Sequence, residues 1–256
     1  MTSQPNSRSD RRFFLATSPE QGEPSLTPED QEHALRVLRV EAGEQILGLD
    51  GQGRAWPLEI TRVEKRALIL ESRGEAQVEP PPGEPGSPLP WIAVALALPK
   101  PAHQTEAIDR LTQLGASRIL PLETERTTKA ARKPSTNRLE RLTRVAREAC
   151  KQSRRLWAVE LEPVASLEAV LASAPGELIR LDPAGELFLF DHAQSLSPEA
   201  RPTLLVGPEG GFTSAECELI DSKGATVCRL TPTILRIETA AELAVGTLVQ
   251  VLGSKL

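Results

Sequence analysis

Two stretches of this chain combine glycine, threonine, carboxylate and arginine in a way that suits small-molecule chemistry. They are Leu204-Leu205-Val206-Gly207-Pro208-Glu209-Gly210-Gly211-Phe212 and Leu230-Thr231-Pro232-Thr233-Ile234-Leu235-Arg236-Ile237-Glu238-Thr239-Ala240. Each runs from an apolar, strand-like segment into the start of a helix. In parallel sheets ligands sit at the carboxyl ends of the strands, where glycines let backbone amides and carbonyls approach a small molecule closely. The first stretch therefore reads as a cofactor loop. It lacks the lysine and hydroxyl of a phosphate-binding GxxxxGK[ST] loop and does not match the GxGxxG dinucleotide pattern. A tight Gly-Pro-Glu-Gly-Gly connection with no ligand is the other reading of the same residues. In the second stretch Glu238 and Thr239 fall near a helix N-terminus, where carboxylates and hydroxyls satisfy free amides, so capping accounts for them as well as chemistry does. Arg236 lies between apolar neighbours, is held by the fold, and is the candidate to orient a substrate.

Other chemistries find little support. The cysteines Cys150, Cys217 and Cys228 form no CxxC and make an odd set, and the three histidines lie far apart, so no zinc site and no disulfide frame is expected. Tyrosine is absent and aromatics make up 3% of the chain, which disfavours binders that stack many bases. The longest apolar run, Trp91 to Leu98, is far short of the ~20 residues that span a bilayer. The N-terminus MTSQPNSRSDRRFF has no apolar secretory region, so a cytoplasmic location is expected.

The formal charge of -5 over 256 residues argues at first against nucleic acid. Its distribution argues otherwise. Between Arg126 and Arg155 eleven basic residues face two acids, a local +9, and the rest of the chain carries -14. Arg138, Arg141, Arg144 and Arg147 recur every third residue of a helical pattern, with Leu139, Leu142, Val145, Ala146 and Ala149 on the other side. Such a face suits the phosphates of an RNA, although a merely solvated helix would show the same run.

These segments need a scaffold to position them. Glu79 to Pro90, EPPPGEPGSPLP, holds six prolines and two glycines and marks a linker over residues 79–90. Before it, over residues 1–78, short strands in RRFFLA, GEQILGLDGQGRAWPLEITRV and RALILES surround one helix, whose start is marked by Thr27 and Pro28. The pattern predicts a small β-barrel. Over residues 91–256 strands and helices alternate: WIAVALAL, a helix from about His103 to Leu114 ended by Gly115, SRILPL, the arginine-rich helix, ELIRLD, TLLVG, a helix opened by a Thr213/Glu216 capping box, TVCRL, and a long apolar final helix. That order predicts an α/β domain with a parallel sheet covered on both faces.

GPEGGF followed about twenty residues later by LRIETA, together with LTQLGASRILPLETERT and REACKQSRR, resembles the RsmE-type ribosomal RNA methyltransferases of the SPOUT superfamily. RRFF and HALRVLRVEAGEQILGLDGQGR resemble the PUA-like barrel of that family, so the likeness covers essentially the whole chain. The resemblance implies an S-adenosylmethionine-dependent enzyme that methylates ring nitrogen 3 of a uridine in the decoding region of 16S rRNA, free or in the small ribosomal subunit. It also implies a homodimer and a trefoil knot in the α/β domain. By the same pattern Leu181, Gly207, Pro208, Glu209, Gly210, Leu230, Ile234, Leu235 and Thr239 line the cofactor pocket. Arg236 orients the target, while Arg11, Arg12, Arg126, Arg138, Arg141, Arg147 and Arg154 hold RNA. No general base stands out: Glu209, Glu238 and solvent are all candidates. Thr231, Thr233 and Ile237 replace the usual Gly, Arg and Thr around LRxETA, and Arg110 and Gln113 replace a lysine and a glutamate. Those departures leave room for a catalytically silent RNA-binding protein on the same fold.

Overall fold

The computed structural model describes residues 11–127 and 135–256. Lys129, Arg132 and Lys133 of the basic run lie outside the described residues. The chain divides into two compact units, Met1–Pro81 with Arg154–Ala158, and Pro82–Ser153 with Val159–Leu256.

The first unit is built on β1 (Arg12–Thr17), β2 (Ser25–Leu26), β3 (Gln45–Leu49), β4 (Arg54–Val63) and β5 (Leu68–Ser72), in the order β2-β1-β3-β4-β5, with β6 (Gln77–Val78) also paired to β4. β1 runs parallel to β3 and the other pairs are antiparallel. Alternation decides the inward face: Trp56, Leu58 and Ile60 of β4 join Phe13, Ile46, Leu68 and Leu70 in one core. The Asp50-Gly51 turn forms because Asp50 Oδ1 accepts from the amides of Gln52 at 2.7 Å and Arg54 at 3.0 Å. The helix α1 (Pro28–His33) starts where expected, with the Thr27 hydroxyl accepting from Asp30 N, and continues as a π-helical turn over Ala34–Leu38. Ala34 enters the core, with Leu35 and Leu38 packed against it.

The excursion of Arg154–Ala158 into this unit departs from the expected division, which assigns these residues to the α/β domain. Gly53 N donates to Leu156 O at 3.2 Å, Ala158 N to Gly51 O at 3.0 Å, and Trp157 Nε1 to Glu79 O at 2.9 Å. Apart from the Trp157 indole, backbone groups recruit the segment, and these carry no mark in a sequence.

In the second unit the sheet order is β10-β8-β7-β13-β11-β14-β12, with β9 on β8 and every pairing parallel. Its strands are β7 (Ala93–Ala97), β8 (Arg118–Glu123), β9 (Glu160–Leu161), β10 (Ala165–Ser166), β11 (Leu178–Leu181), β12 (Leu187–Phe188), β13 (Thr203–Val206) and β14 (Thr226–Arg229). The helices are α2 (Pro101–Leu114), α3 (Thr136–Gln152), α4 (Leu167–Ser173), α5 (Leu189–Ser195), α6 (Ser214–Ser222) and α7 (Ile237–Gly253). Every residue of β7 is buried, and its side chains alternate between two cores. Val94 and Leu96 pack with Ile108 and Leu111 of α2, Leu142 of α3, and Ala244 and Leu248 of α7. Ala93 and Ala95 pack with Leu120, Leu167, Leu205 and Ile220 on the other face. A strand buried on both faces reads as a continuous apolar run, which is what WIAVALAL is.

Gly115, with φ 106°, ends α2 as predicted. The short helix α5 has no counterpart among the sequence-based expectations, because LFDHAQS is two turns long and has too few apolar positions to show a period. Lys255 caps it, the Nζ donating to the carbonyls of Ala193, Gln194 and Leu196 at 3.1, 2.8 and 2.7 Å. The Pro-rich stretch is an ordered loop in which Gly83 N donates to Leu89 O and Ser87 is buried.

Candidate cofactor and RNA sites

Strand order determines where the site lies. β11 is flanked by β13 on one side and β14 on the other, so the loops leaving their carboxyl ends meet. Between these loops is a cavity of about 600 Å³, within the range of small-molecule sites. Leu181 comes from the end of β11; Gly207, Pro208, Glu209 and Gly210 come from the loop after β13; Leu230, Ile234 and Leu235 come from the loop after β14. All of the expected cofactor residues except Thr239 thus line one cavity. Thr239 stands exposed in the first turn of α7, and Ala240 lines the cavity from that helix instead. Arg236 lines the cavity as the N-cap residue of α7, but its side chain is exposed and not held by the fold as its apolar neighbours suggest, because only Ile237 of those neighbours turns into the core.

The loop after β13 is shaped from both ends. The capping box at α6 forms as expected, with Glu216 N donating to Thr213 Oγ1 and Thr213 N to Glu216 Oε2. The second oxygen, Oε1, accepts from Glu125 N at 2.8 Å, tying the loop to the end of β8. Arg126 Nη1 donates to Gly210 O at 2.6 Å and to Phe212 O at 3.3 Å. In the loop after β14, Thr231 Oγ1 donates to Thr233 O at 2.8 Å, so the two unusual threonines brace each other.

Among the lining groups that sequence reasoning missed are Arg180, Asp182 and Cys228. Arg180, buried in β11, donates to Asp182 Oδ2 at 2.6 Å and to Asp221 Oδ1 from Nε and Nη2 at 3.3 and 3.2 Å. Asp182 Oδ1 accepts from Ala184 N, which folds the loop after β11 against the cavity. The available signal was a charged residue in the middle of an apolar strand, since such a charge must be paired. Cys228 also lines the cavity. Burial, with a smaller contribution from the Glu177 charge, pushes its thiol up to about 11, so the sulfur stays protonated and weakly nucleophilic at neutral pH. Among the described residues no group of His, Cys, Asp and Glu could hold a metal ion.

The two other departures lie on α2. Gln113 donates to Asp109, and Arg110 pairs with Glu106 and with Glu242 of α7. Glu242 Oε1 is buried without a hydrogen-bond partner, and burial raises this carboxyl above its usual range against the opposing pull of Arg110, with Glu106 and Glu238 adding repulsion. A raised carboxyl pKa favours the folded state below the ordinary value of 4.5, and that advantage is lost as pH rises through the folded value. Glu242→Gln is therefore expected to stabilise the protein more at pH 7 than at pH 4, in urea unfolding at both values. An equal change at the two pH values would contradict the assignment.

The arginine-rich helix is amphipathic as expected. Arg141, Arg144 and Arg147 are exposed and Arg138 half-buried, while Leu142, Ala146 and Ala149 are in the core and Leu139 and Val145 are half-buried. Not all of the basic run faces solvent. Lys151 is buried and paired with Glu148 at 2.7 Å, and Arg155 is buried. In the barrel unit Arg11 pairs with Glu44 at 2.7 Å, and Arg12 donates to the carbonyl of Arg154, whose own side chain is exposed.

The parallel α/β sheet with a glycine-loop cavity at its strand ends and the small barrel unit are the two parts of an RNA methyltransferase, the class to which both family models assign them. Residues 85–249 match the family described as RNA methyltransferase domain, and residues 26–71 that described as RNA methyltransferase PUA domain. The chain belongs to the family of ribosomal RNA small subunit methyltransferase E. A relative of that name from Synechocystis is 33% identical over 94% of this chain and 78% of its own length. One from Bacillus subtilis is 29% identical over 90% and 92%. A methyltransferase structure from Legionella pneumophila, solved with its cofactor S-adenosylmethionine, superposes with a TM-score of 0.78 at 26% identity, covering 93% of this chain and 96% of that one.

Proposed function

We propose that this protein transfers a methyl group from S-adenosylmethionine to nitrogen 3 of a uridine in the decoding region of 16S rRNA, acting in the cytoplasm as a knotted homodimer. The observation that carries the reading is the convergence of Leu181, the Gly207–Gly210 turn and the Leu230–Leu235 loop on one cavity, from three separated parts of the chain. The residues fit the cofactor. Leu181 at the end of β11 and Leu230 and Leu235 of the loop after β14 give apolar walls, and Gly207 lets the backbone pass close to the Phe212 ring at the cavity edge, since a Cβ there would lie 3.0 Å from that ring. The bound cofactor supplies an electrophilic methyl on a sulfonium sulfur.

The chain has to hold that methyl in line with the uracil nitrogen and see the ring proton removed. Positioning alone supplies on the order of 7–11 kcal/mol in favourable cases. Arg236, exposed at the cavity edge, orients the uracil carbonyls or the adjoining backbone. Of the two carboxylates lining the cavity, Asp182 is bonded to Arg180 and Ala184, whereas Glu209 stands exposed on the loop. Glu209 is thus the group this site offers to take the proton, directly or through water. The protonated Cys228 thiol does not compete for the methyl. Arg138, Arg141, Arg144 and Arg147 of α3 hold RNA phosphates, and a target within structured rRNA has to be extruded to reach the cavity. The exposed Ile234, Phe190 and Leu243 offer apolar surface for a second copy, and β11 between β13 and β14 is an order compatible with a knot.

The test is incubation of the protein with 16S rRNA and with small subunits in the presence of methyl-labelled S-adenosylmethionine, followed by mass mapping. One added methyl group on a uracil base supports the reading; failure to bind millimolar cofactor leaves the catalytically silent RNA-binding protein. Replacing Arg141, Arg144 and Arg147 together by alanine is expected to reduce the salt dependence of rRNA binding, lowering the log–log slope by about 2–3, because each lost phosphate contact removes about 0.7–0.9. Filter binding at several salt concentrations measures this. An unchanged slope would move the RNA face elsewhere.

A further inference from the structure

We infer that Arg126 is a positioning residue for the cofactor loop, and not an RNA contact as its place at the head of the basic run implies. The inference rests on the proposed use of the cavity for S-adenosylmethionine. β8 ends in a turn closed by its own hydroxyls: Thr124 N donates to Thr127 Oγ1 at 3.1 Å, and the two threonine oxygens lie 2.7 Å apart. Both threonines are buried, so this turn is a firm base. Two groups reach from it to the loop after β13. The Glu125 amide takes one oxygen of Glu216, whose other oxygen holds Thr213 N, and this anchors the loop where α6 begins. Arg126 anchors it further in, through the carbonyls of Gly210 and Phe212.

Between those two carbonyls lies Gly211, with φ 68°, where a Cβ would find nothing within 4 Å. Gly210 and Gly211 are adjacent glycines with wide backbone freedom, and packing does not restrain Gly211. A charge-assisted donor shared by the carbonyls on either side of it restricts that freedom before any ligand arrives. The stem of Arg126 adds to this, since its Cδ would lie 3.3 Å from a Cβ on Gly210. Arg126 itself does not line the cavity, so it acts through Gly210 and Phe212, which do.

The experiment compares calorimetric titration of S-adenosylmethionine into the wild-type protein, Arg126→Ala and Arg126→Lys, with steady-state methylation of rRNA by each. Arg126→Ala is expected to bind the cofactor about 10-fold more weakly, the order of effect of one charge-assisted hydrogen bond on an exposed group. KM for the cofactor rises by the same factor, while kcat, KM for rRNA and its salt dependence change little. Arg126→Lys, which keeps a charged donor, recovers part of the loss. Arg126→Gln keeps the stem against Gly210 and removes the charge, so it gives the same answer if the alanine variant loosens the fold. Unchanged cofactor affinity in Arg126→Ala overturns the inference. So does a defect confined to rRNA binding with a shallower salt dependence, which would make Arg126 a phosphate contact. A wild-type protein that fails to bind the cofactor overturns the proposed function and this inference together, whereas a wild type that binds beside an equally tight Arg126→Ala overturns only the latter.

Discussion

Gly207→Val is expected to weaken S-adenosylmethionine binding by at least about 100-fold, equivalent to roughly 3 kcal/mol, while leaving the fold intact. Gly207 has no positive φ, so the backbone accepts an L-residue and the effect is one of space alone. A Cβ would lie 3.0 Å from Phe212 Cε2 and 3.1 Å from Cδ2, closer than ordinary contact, and the two methyls of valine reach further. Phe212 yields little, because its ring packs on the core of Leu205 and Ile220 and its carbonyl is held by Arg126. The methyls therefore fill the cavity that Gly207 and Phe212 both line. β13 ends at Val206 and its pairings with β7 and β11 do not involve Gly207, so the sheet is untouched. Calorimetric titration, with thermal unfolding as control, measures the effect. Gly207→Ala should fall between the two. A valine variant that binds as tightly as the wild type would place the cofactor elsewhere.

The features legible in the sequence are those whose partners lie close along the chain or repeat with a period. Thr213 and Glu216 form their capping box within four residues, Gly115 ends α2, and the three-residue spacing of Arg138, Arg141, Arg144 and Arg147 leaves Leu142 and Ala146 inward. The cavity is legible for a related reason: its loops follow apolar strands and carry glycine. Long-range polar pairing is not. Arg180 finds Asp221 forty-one residues away, and Arg126 reaches Gly210 across eighty-four, so even where an apolar strand flags the charge, as at Arg180, no local pattern names its partner. The basic run illustrates the same limit. Composition counts Lys151 and Arg155 with the surface arginines, but α3 turns Lys151 inward beside Glu148, and the chain then carries Arg155 into the barrel unit. Membership of LRIETA places Thr239 with the cavity, but helical rotation after Arg236 directs Ala240 toward the cavity and leaves Thr239 exposed.

The segment Arg154–Ala158 sets up the second large effect. Gly53 sits at φ 90°, a conformation that costs an L-residue on the order of 1–2 kcal/mol. A Cβ there would also lie 2.5 Å from Trp157 Nε1 and 2.6 Å from Glu79 O, the two ends of the hydrogen bond that fastens the segment to the barrel. Neither atom is the tip of a free side chain: the carbonyl is backbone, and the indole is held by that bond and by the pairing of Gln52 with Trp157. Gly53→Ala must therefore adopt a strained backbone and also separate Trp157 from Glu79, which forfeits a further ~1 kcal/mol for the hydrogen bond. A destabilisation of about 3 kcal/mol in the barrel unit is expected. Hydrogen exchange localises it, with faster exchange at the amides of β3 and β4. The cavity residues all belong to the other unit, so cofactor affinity should stay at the wild-type value while rRNA methylation falls at elevated temperature. If the β3 and β4 amides exchange at wild-type rates, Arg154–Ala158 merely rests on the barrel and contributes nothing to holding it.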